Sequence, residues 1–290
     1  MDLCATLLPP AGAGAHVLLT LAGDGRRWRK AYSLVAPPGT RDRYEIIVRR
    51  PEASRGGSRF LHDQVAVGMI VNVAEPTNSF PLPKVAHGML LLSAGIGLTP
   101  FLSWLPALRS RKLPFELHHV CRPDEHAAFA DLLALFGDAR ATLYTGRESL
   151  TVRALLAAQG LCVHLAVCGP ATFMDDVLTQ ARDLGWPTAK LHQERFGAAI
   201  SGTPFRVRLA RSDIALDVAE DRSLLETLEE AGIDAPYLCR GGACGQCRVT
   251  LLEGVAAHND HVLTADERAR GDAILTCVSR AQTPLLVRDL

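Results

Sequence analysis

Residues 237–250 read Tyr-Leu-Cys-Arg-Gly-Gly-Ala-Cys-Gly-Gln-Cys-Arg-Val-Thr, and a further cysteine, Cys277, stands thirty residues beyond Cys247. The spacing Cys239-x4-Cys244-x2-Cys247 puts three thiols into one loop, with only Gly or Ala at positions 241, 242, 243 and 245 apart from the thiols. A loop that wraps around inorganic sulfide and points several amide N–H groups at it needs residues whose backbone can come close, and Gly241, Gly242, Ala243 and Gly245 supply that freedom. A structural zinc site would instead favour two C-x2-C knuckles or Cys and His pairs, and one such knuckle is present. Unrelated buried cysteines are the third alternative.

With Cys277 included, the four positions follow the plant-type [2Fe-2S] spacing, so Cys239, Cys244, Cys247 and Cys277 are the candidate iron ligands. The flanks suit a small α+β domain of β-grasp type over residues 199–290. Residues 205–218 alternate well enough for a hairpin, and Ser223 followed by Glu226 is a capping box opening a helix with Leu224, Leu225 and Leu228 turned inward. Residues 248–254 and 283–290 read as strands. From residue 203 onward there are 10 Arg or Lys against 14 Asp or Glu, the acids concentrated at 217–230 and 260–272. That surplus suits either an acidic docking face or an ordinary solvated surface.

The whole chain of 290 residues is long enough for two or three domains, and a hydrophobic content of 48% fills soluble cores. Its 31 basic and 31 acidic residues leave no excess that would suit nucleic acid or an anionic membrane. The first residues lack a basic stretch before a long apolar run, and no segment reaches about 18 uninterrupted apolar residues. A cytoplasmic protein is expected, and eight cysteines are too few for a disulfide scaffold.

Residues 90–101 give an apolar strand, a turn through Gly95 and Gly97, then Thr99 as expected N-cap and Pro100 at the first helical position. Such a helix start aims N–H groups at an anion such as a pyrophosphate, although a G-x-G turn alone is a weak signal. Strands expected at 115–120, 141–145 and 164–170 alternate with helices at 127–136, 152–159 and 171–184, which argues for a parallel sheet covered on both faces. Ligands of such sheets sit past the carboxyl ends of the strands, where the Gly95–Gly97 turn and Cys168-Gly169-Pro170 should converge. His118 and His119 are neighbours on a strand and should point to opposite faces, which does not suit a shared metal.

Nearer the start come Lys30-Ala-Tyr32-Ser33, then a stretch ending Val48-Arg49-Arg, then Arg55-Gly56-Gly57-Ser58. On these motifs the chain resembles the ferredoxin-reductase-like flavoproteins, and more narrowly the phthalate dioxygenase reductase family. The resemblance extends over essentially the whole length, including Met174 after Cys168-Gly169-Pro170, residues 192–196 and residues 277–281. It implies an antiparallel β-barrel flavin domain at 1–84, an α/β nicotinamide domain at 85–198 and the ferredoxin domain at 199–290. It further implies FMN, NADH and a [2Fe-2S] cluster as cofactors. The hydride would be split into single electrons for a separate terminal oxygenase component of Rieske type, with the reductase monomeric by itself.

By the same resemblance Tyr32 and Ser33 would contact the isoalloxazine, with Val48 and Arg49 beside it. Lys30 and the loop of Arg55, Gly56, Gly57 and Ser58 would hold the FMN phosphate. Thr99 would sit near the reactive flavin edge and Cys168 at the nicotinamide, completing a catalytic set with Tyr32 and Ser33. Gly95, Gly97, Pro100, Gly169 and Pro170 would bind NADH, Arg122 or Asp124 would approach the adenosine ribose, and Glu194 would lie toward the flavin. Two departures stand out. Lys30 replaces the family's Arg, keeping charge but losing the planar fork. The motif also lies only about thirty residues from the start, so the barrel is expected to lack its first strand and to hold flavin weakly. The alternatives are a reductase serving a haem or di-iron monooxygenase, and a ferredoxin carrier on a flavin-free scaffold.

Overall fold

The computed structural model describes residues 7–23, 26–50, 56–135, 141–160, 162–197 and 202–288, with Arg26 and 285–288 described as backbone. They form two compact units, residues 1–194 and 195–290. Among the described residues no helix is long and apolar enough to cross a membrane.

In the first unit, β1 (His16–Gly23) pairs antiparallel along its full length with β2 (Arg26–Ser33). After the short helix α1 (Gly57–Asp63), the two-residue β3 (Asn72–Val73) joins the other edge of β1. Alternation along β1 buries Val17, Leu19 and Leu21 on one face, where Trp28 and Phe60 meet with ring centroids 5.5 Å apart.

The rest of this unit is a wound α/β sheet. Its elements are β4 (Gly88–Ala94), α2 (Thr99–Ser110), β5 (Phe115–Cys121), α3 (His126–Leu135), β6 (Ala141–Thr145), α4 (Val152–Ala157), β7 (Val163–Cys168), α5 (Ala171–Asp183) and β8 (Leu191–Glu194). All five strands are parallel, in the order β6-β5-β4-β7-β8. The central strand β4 is buried at every position, as a strand covered on both faces must be. Leu91, Leu117 and Ala166 pack with Phe101, Leu102 and Trp104 of α2, while Leu90, Leu92 and Val167 pack with Met174 and Val177 of α5. The chain leaves β4 for β5 and β6, then crosses to β7, so the winding reverses between β4 and β7. A reversal there separates the two following loops and opens a crevice at the carboxyl ends of the strands.

The start of α2 differs from expectation. Gly95–Leu98 already form a 3-10 turn, Thr99 has helical dihedrals (φ −56, ψ −42), and its hydroxyl donates to the Ile96 carbonyl at 2.9 Å. Thr99 is therefore the first residue of α2 and not its cap, and Pro100 is the second. Helical winding begins a turn earlier than the Thr-Pro pair suggests.

The second unit comprises β9 (Phe205–Leu209), β10 (Ile214–Val218), α6 (Leu224–Glu230), β11 (Arg248–Glu253), β12 (Ala256–Ala257), α7 (Ala265–Arg270), β13 (Ala273–Leu275), β14 (Arg280–Ala281) and β15 (Leu285–Arg288). The mixed sheet runs β10-β9-β15-β11-β13, with β15 parallel to β9 and the other pairs antiparallel. The hairpin of β9 and β10 and the strands β11 and β15 lie where alternation places them. The Ser223 hydroxyl accepts from the Glu226 amide at 3.0 Å while the Glu226 carboxylate accepts from the Ser223 amide at 3.0 Å. That closed box starts α6, and Leu224, Leu225 and Leu228 enter the core.

Candidate functional site

The cysteine loop of the second unit is bent by three residues of positive φ: Arg240 (55°), Gly242 (72°) and Gly245 (76°). For Arg240 that conformation is costly, and its side chain is held firmly. Its guanidinium grips the Glu229 carboxylate at 2.6 and 2.7 Å, both side chains about a tenth exposed, and lies 4.9 Å over the Tyr237 ring. The end of α6 thus braces the loop.

The four thiols gather as two pairs. Cys247 Sγ and Cys277 Sγ are 3.1 Å apart, and Cys239 and Cys244 share a hydrogen bond, with the Cys239 amide donating to Cys244 Sγ at 3.4 Å. The Gly241 amide donates to Cys239 Sγ at 3.4 Å. The hydrogen bond with Cys244 draws the Cys239 thiol down to about 5, and that with Cys277 lowers Cys247, while Cys244 and Cys277 are pushed up by the same bonds. In each pair one thiol thus gives up its proton more readily than the other. Among the described residues no three His, Cys, Asp or Glu side chains gather for a single ion. Two thiols per metal, with backbone N–H groups aimed at sulfur, fit a dinuclear [2Fe-2S] cluster.

In the first unit the Gly95–Gly97 turn and the Cys168-Gly169-Pro170 loop meet backbone to backbone. A Cβ at Gly97 would overlap the Cys168 carbonyl, whereas at Gly95 (φ +53) nothing lies within 4 Å. Close approach fixes Gly97, and Gly95 faces open space suited to a ligand. Thr99 is buried beside them, and Pro170 is exposed.

Cys168 differs from its expected role at the nicotinamide. Its side chain is wholly buried in the apolar cluster around Phe101 and Leu102, and burial first, then the Glu194 charge, pushes its thiol well above the usual range. It presents its backbone, and not a thiolate, to the turn. Glu194 ends β8 in register with Cys168 and is buried.

One buried pair has no signal in the sequence. Ser93 Oγ and His119 Nδ1 are 2.8 Å apart beneath the turn, and burial lowers His119 to about 4, so its ring is neutral at ordinary pH. The two residues are 26 positions apart and meet only through the register of β4 with β5. His118 turns the other way, to the Tyr144 hydroxyl at 2.9 Å.

Around β2, burial raises the Tyr32 phenol to about 12, keeping it protonated. Among the described residues the neighbouring Ser33 Oγ is buried with no hydrogen-bond partner, an orphan that a bound polar ring would satisfy. Lys30 adjoins the start of α1, since a Cβ at Gly57 would lie 3.2 Å from its Cγ. Gly56 and Ser58 flank that point, and Arg55 lies outside the described residues. The Val48 carbonyl faces His62 Nε2 at 2.9 Å, and Arg49 pairs with Glu125 at 2.8 Å. A cation beside a glycine corner, together with an orphan hydroxyl, suits a flavin with a terminal phosphate.

A model of the 2Fe-2S iron-sulfur cluster binding domain matches residues 207–282. Phthalate dioxygenase reductase of Burkholderia cepacia is 37% identical over 295 residues, covering 98% of this chain and 89% of that one. A solved phthalate dioxygenase reductase, described as modular for electron transfer from pyridine nucleotides to [2Fe-2S], superposes with a TM-score of 0.82 at 36% identity, covering 100% of this chain and 91% of that one. The chain belongs to the phthalate dioxygenase reductase family. Another relative is the heme-dependent oxidative N-demethylase beta subunit of Ectopseudomonas mendocina (strain ymp), 43% identical over 287 residues, covering 99% of this chain and 91% of that one. Like the family, the chain joins a parallel-sheet nicotinamide fold to a C-terminal ferredoxin domain, and the donor sets described above suit FMN, NADH and [2Fe-2S].

Proposed function

We propose that this chain is the NADH-dependent reductase of an oxygenase system and passes electrons to the terminal component of a Rieske-type oxygenase. The carrying observation is the pairing of Cys239 with Cys244 and of Cys247 with Cys277 in a chain that also builds a crevice at the β4–β7 reversal. When bound, FMN accepts a hydride from NADH and gives up its electrons singly, which the cluster requires. The chain's own work is placement. Tyr32 and Ser33 bind the ring, Lys30 with Gly56, Gly57 and Ser58 holds the phosphate, and Val48 and Arg49 line the flavin. Gly95, Gly97, Thr99, Pro100, Gly169 and Pro170 seat the nicotinamide and pyrophosphate, with Arg122 and Asp124 toward the ribose. We divide the chain at 1–84, 85–198 and 199–290 for these three tasks.

The experiment is NADH oxidation by the purified holoprotein, coupled to a Rieske oxygenase. Flavin and cluster absorption should bleach together on NADH addition, and the oxygenase centre should then be reduced. A protein whose cluster stays oxidised while its flavin is reduced would defeat this reading. A haem acceptor is the second reading, favoured by the 43% identity to the heme-dependent N-demethylase subunit. Rapid reduction of a haem oxygenase, with the Rieske protein left oxidised, would select it.

A further inference from the structure

The buried pair beneath the glycine turn lies on a line of contacts that crosses the parallel sheet. Ser93 and His119 stand opposite each other in the register of β4 with β5, both wholly buried, with Ser93 Oγ 2.8 Å from His119 Nδ1. The His119 ring also meets the Phe129 ring of α3, their centroids 4.4 Å apart. On the other flank of β4, Ser93 stands opposite Cys168, and a Cβ at Gly97 would lie 2.4 Å from the Cys168 carbonyl. Contacts therefore run from α3 through His119 and Ser93 to the turn after β4, and from that turn to β7. Helix α3 begins at His126, directly after the loop that carries Arg122 and Asp124.

Among the described residues His119 Nε2 is buried with no hydrogen-bond partner, so Nδ1 alone anchors the ring by hydrogen bonding. An apolar pair such as Ala and Phe would fill this core about as stably, because removing both partners of a buried hydrogen bond leaves no polar group unsatisfied. A directional bond adds something that apolar packing lacks. It fixes the side-to-side position of one strand end against the next.

We propose that Ser93 and His119 form a brace that sets the spacing between the turn after β4 and the loop after β5, and so positions the two halves of a dinucleotide. Both are positioning residues, since burial keeps them from touching the ligand. The inference rests on the placement, made under the proposed function, of the pyrophosphate at Gly95 and Gly97 and of the adenosine ribose at Arg122 and Asp124. A donor that spans both loops depends on their spacing. Reduced nicotinamide mononucleotide lacks the adenosine half and does not.

The test uses the full chain with FMN in excess, ferricyanide as acceptor, and either NADH or reduced nicotinamide mononucleotide as donor. In Ser93→Ala, KM for NADH should rise about fivefold, equivalent to about 1 kcal/mol, with kcat within about twofold of the parent. The calorimetric Kd for NAD+ should rise by the same factor, while kcat/KM for the mononucleotide stays at its parent value. His119→Asn, which keeps an amide where Nδ1 stands, should retain the parent KM. His119→Phe, which keeps a ring and loses the nitrogen, should match Ser93→Ala. The double variant Ser93→Ala with His119→Phe should lose no more than either single change and should melt near the parent temperature. Four outcomes overturn the brace: unchanged NADH and NAD+ constants in Ser93→Ala, equal losses with the two donors, losses that add in the double variant, or His119→Phe behaving as the parent while His119→Asn does not. A parent that uses both donors with equal kcat/KM removes the adenosine half from the site, and the placement falls together with the brace. A parent that favours NADH, with Ser93→Ala leaving that advantage intact, keeps the placement and loses only the brace.

Discussion

Cys277 lies in the core, 3% exposed, thirty residues from the loop it completes. Replacing it with Ser keeps the volume but offers iron a harder and less acidic donor. The [2Fe-2S] EPR signal of Cys277→Ser is expected to vanish or weaken severely, while NADH-driven ferricyanide reduction persists because it draws on the flavin. A normal cluster signal in that variant would contradict the assignment. Cys168 teaches the opposite lesson. Its place in a Cys-Gly-Pro turn suggests chemistry, yet the thiol is sunk among Phe101, Leu102 and Leu117. Which side of a strand end faces the crevice is decided by the pleat and the covering helix, and a tripeptide motif carries neither.

Among the elements, α6 is the one that fixes the cluster loop. Its capping box starts it, and its last turn supplies Glu229 to Arg240. Arg240→Gln leaves a carboxylate about nine-tenths buried without its charge partner, which typically costs about 3–5 kcal/mol. A large fall in the thermal midpoint of the second unit, with loss of cluster absorbance, is expected. A second short helix, α7, is tied by Glu267, which accepts from Thr264 and pairs with Arg248 at 2.7 Å. Hydrogen bonds from the Thr264 backbone and Arg248 hold Glu267 at about 2, against an ordinary value of 4.5. A carboxyl depressed on folding stabilises α7 fully above pH 4.5, and the contribution fades as pH falls through about 2. Amide exchange in α7, corrected for its intrinsic pH dependence, should lose protection across that window, and a Glu267→Gln variant should show no such step. Most of these elements are legible in the sequence. The serine and glutamate of the box are three residues apart, and the β9–β10 hairpin alternates. The start of α2 was less legible, because the 3-10 turn before Thr99 has no side-chain signature.

At the scale of the whole molecule, the acid surplus of the ferredoxin region looks different once its partners are placed. Asp217 pairs with Arg206 at 2.9 Å, Glu230 with Arg222 at 3.1 Å, Glu267 with Arg248 at 2.7 Å and Asp272 with Arg270 at 3.5 Å. Asp260 is buried and faces inward to its own unit, with His258 and Arg268 each 3.6 Å away and the amides of Val262 and Leu263 donating to it. Pairing shortens the range of those fields, and the surplus of 14 acids over 10 bases leaves a small net charge that steers a partner weakly. With reductase limiting, oxygenase turnover is therefore expected to change less than about twofold between 0.05 and 0.5 M salt, as the screening length shrinks from roughly 14 to 4 Å. A steep fall, with ferricyanide reduction unaffected, would restore an acidic docking face.

The sequence by itself determined the cysteine spacing of the loop, the alternating α/β winding, the hairpin of β9 and β10 and the glycine turn before α2. Each of these is a local pattern, set by spacing along one segment or by the period of burial. Only the tertiary structure decided that Gly97 meets the Cys168 carbonyl, that Ser93 reaches His119, and that Arg49 reaches Glu125. Those contacts join segments 26 to 76 residues apart. They depend on strand order and register, which are set by how whole elements bury their apolar faces together and leave no mark in the spacing of the residues that finally touch.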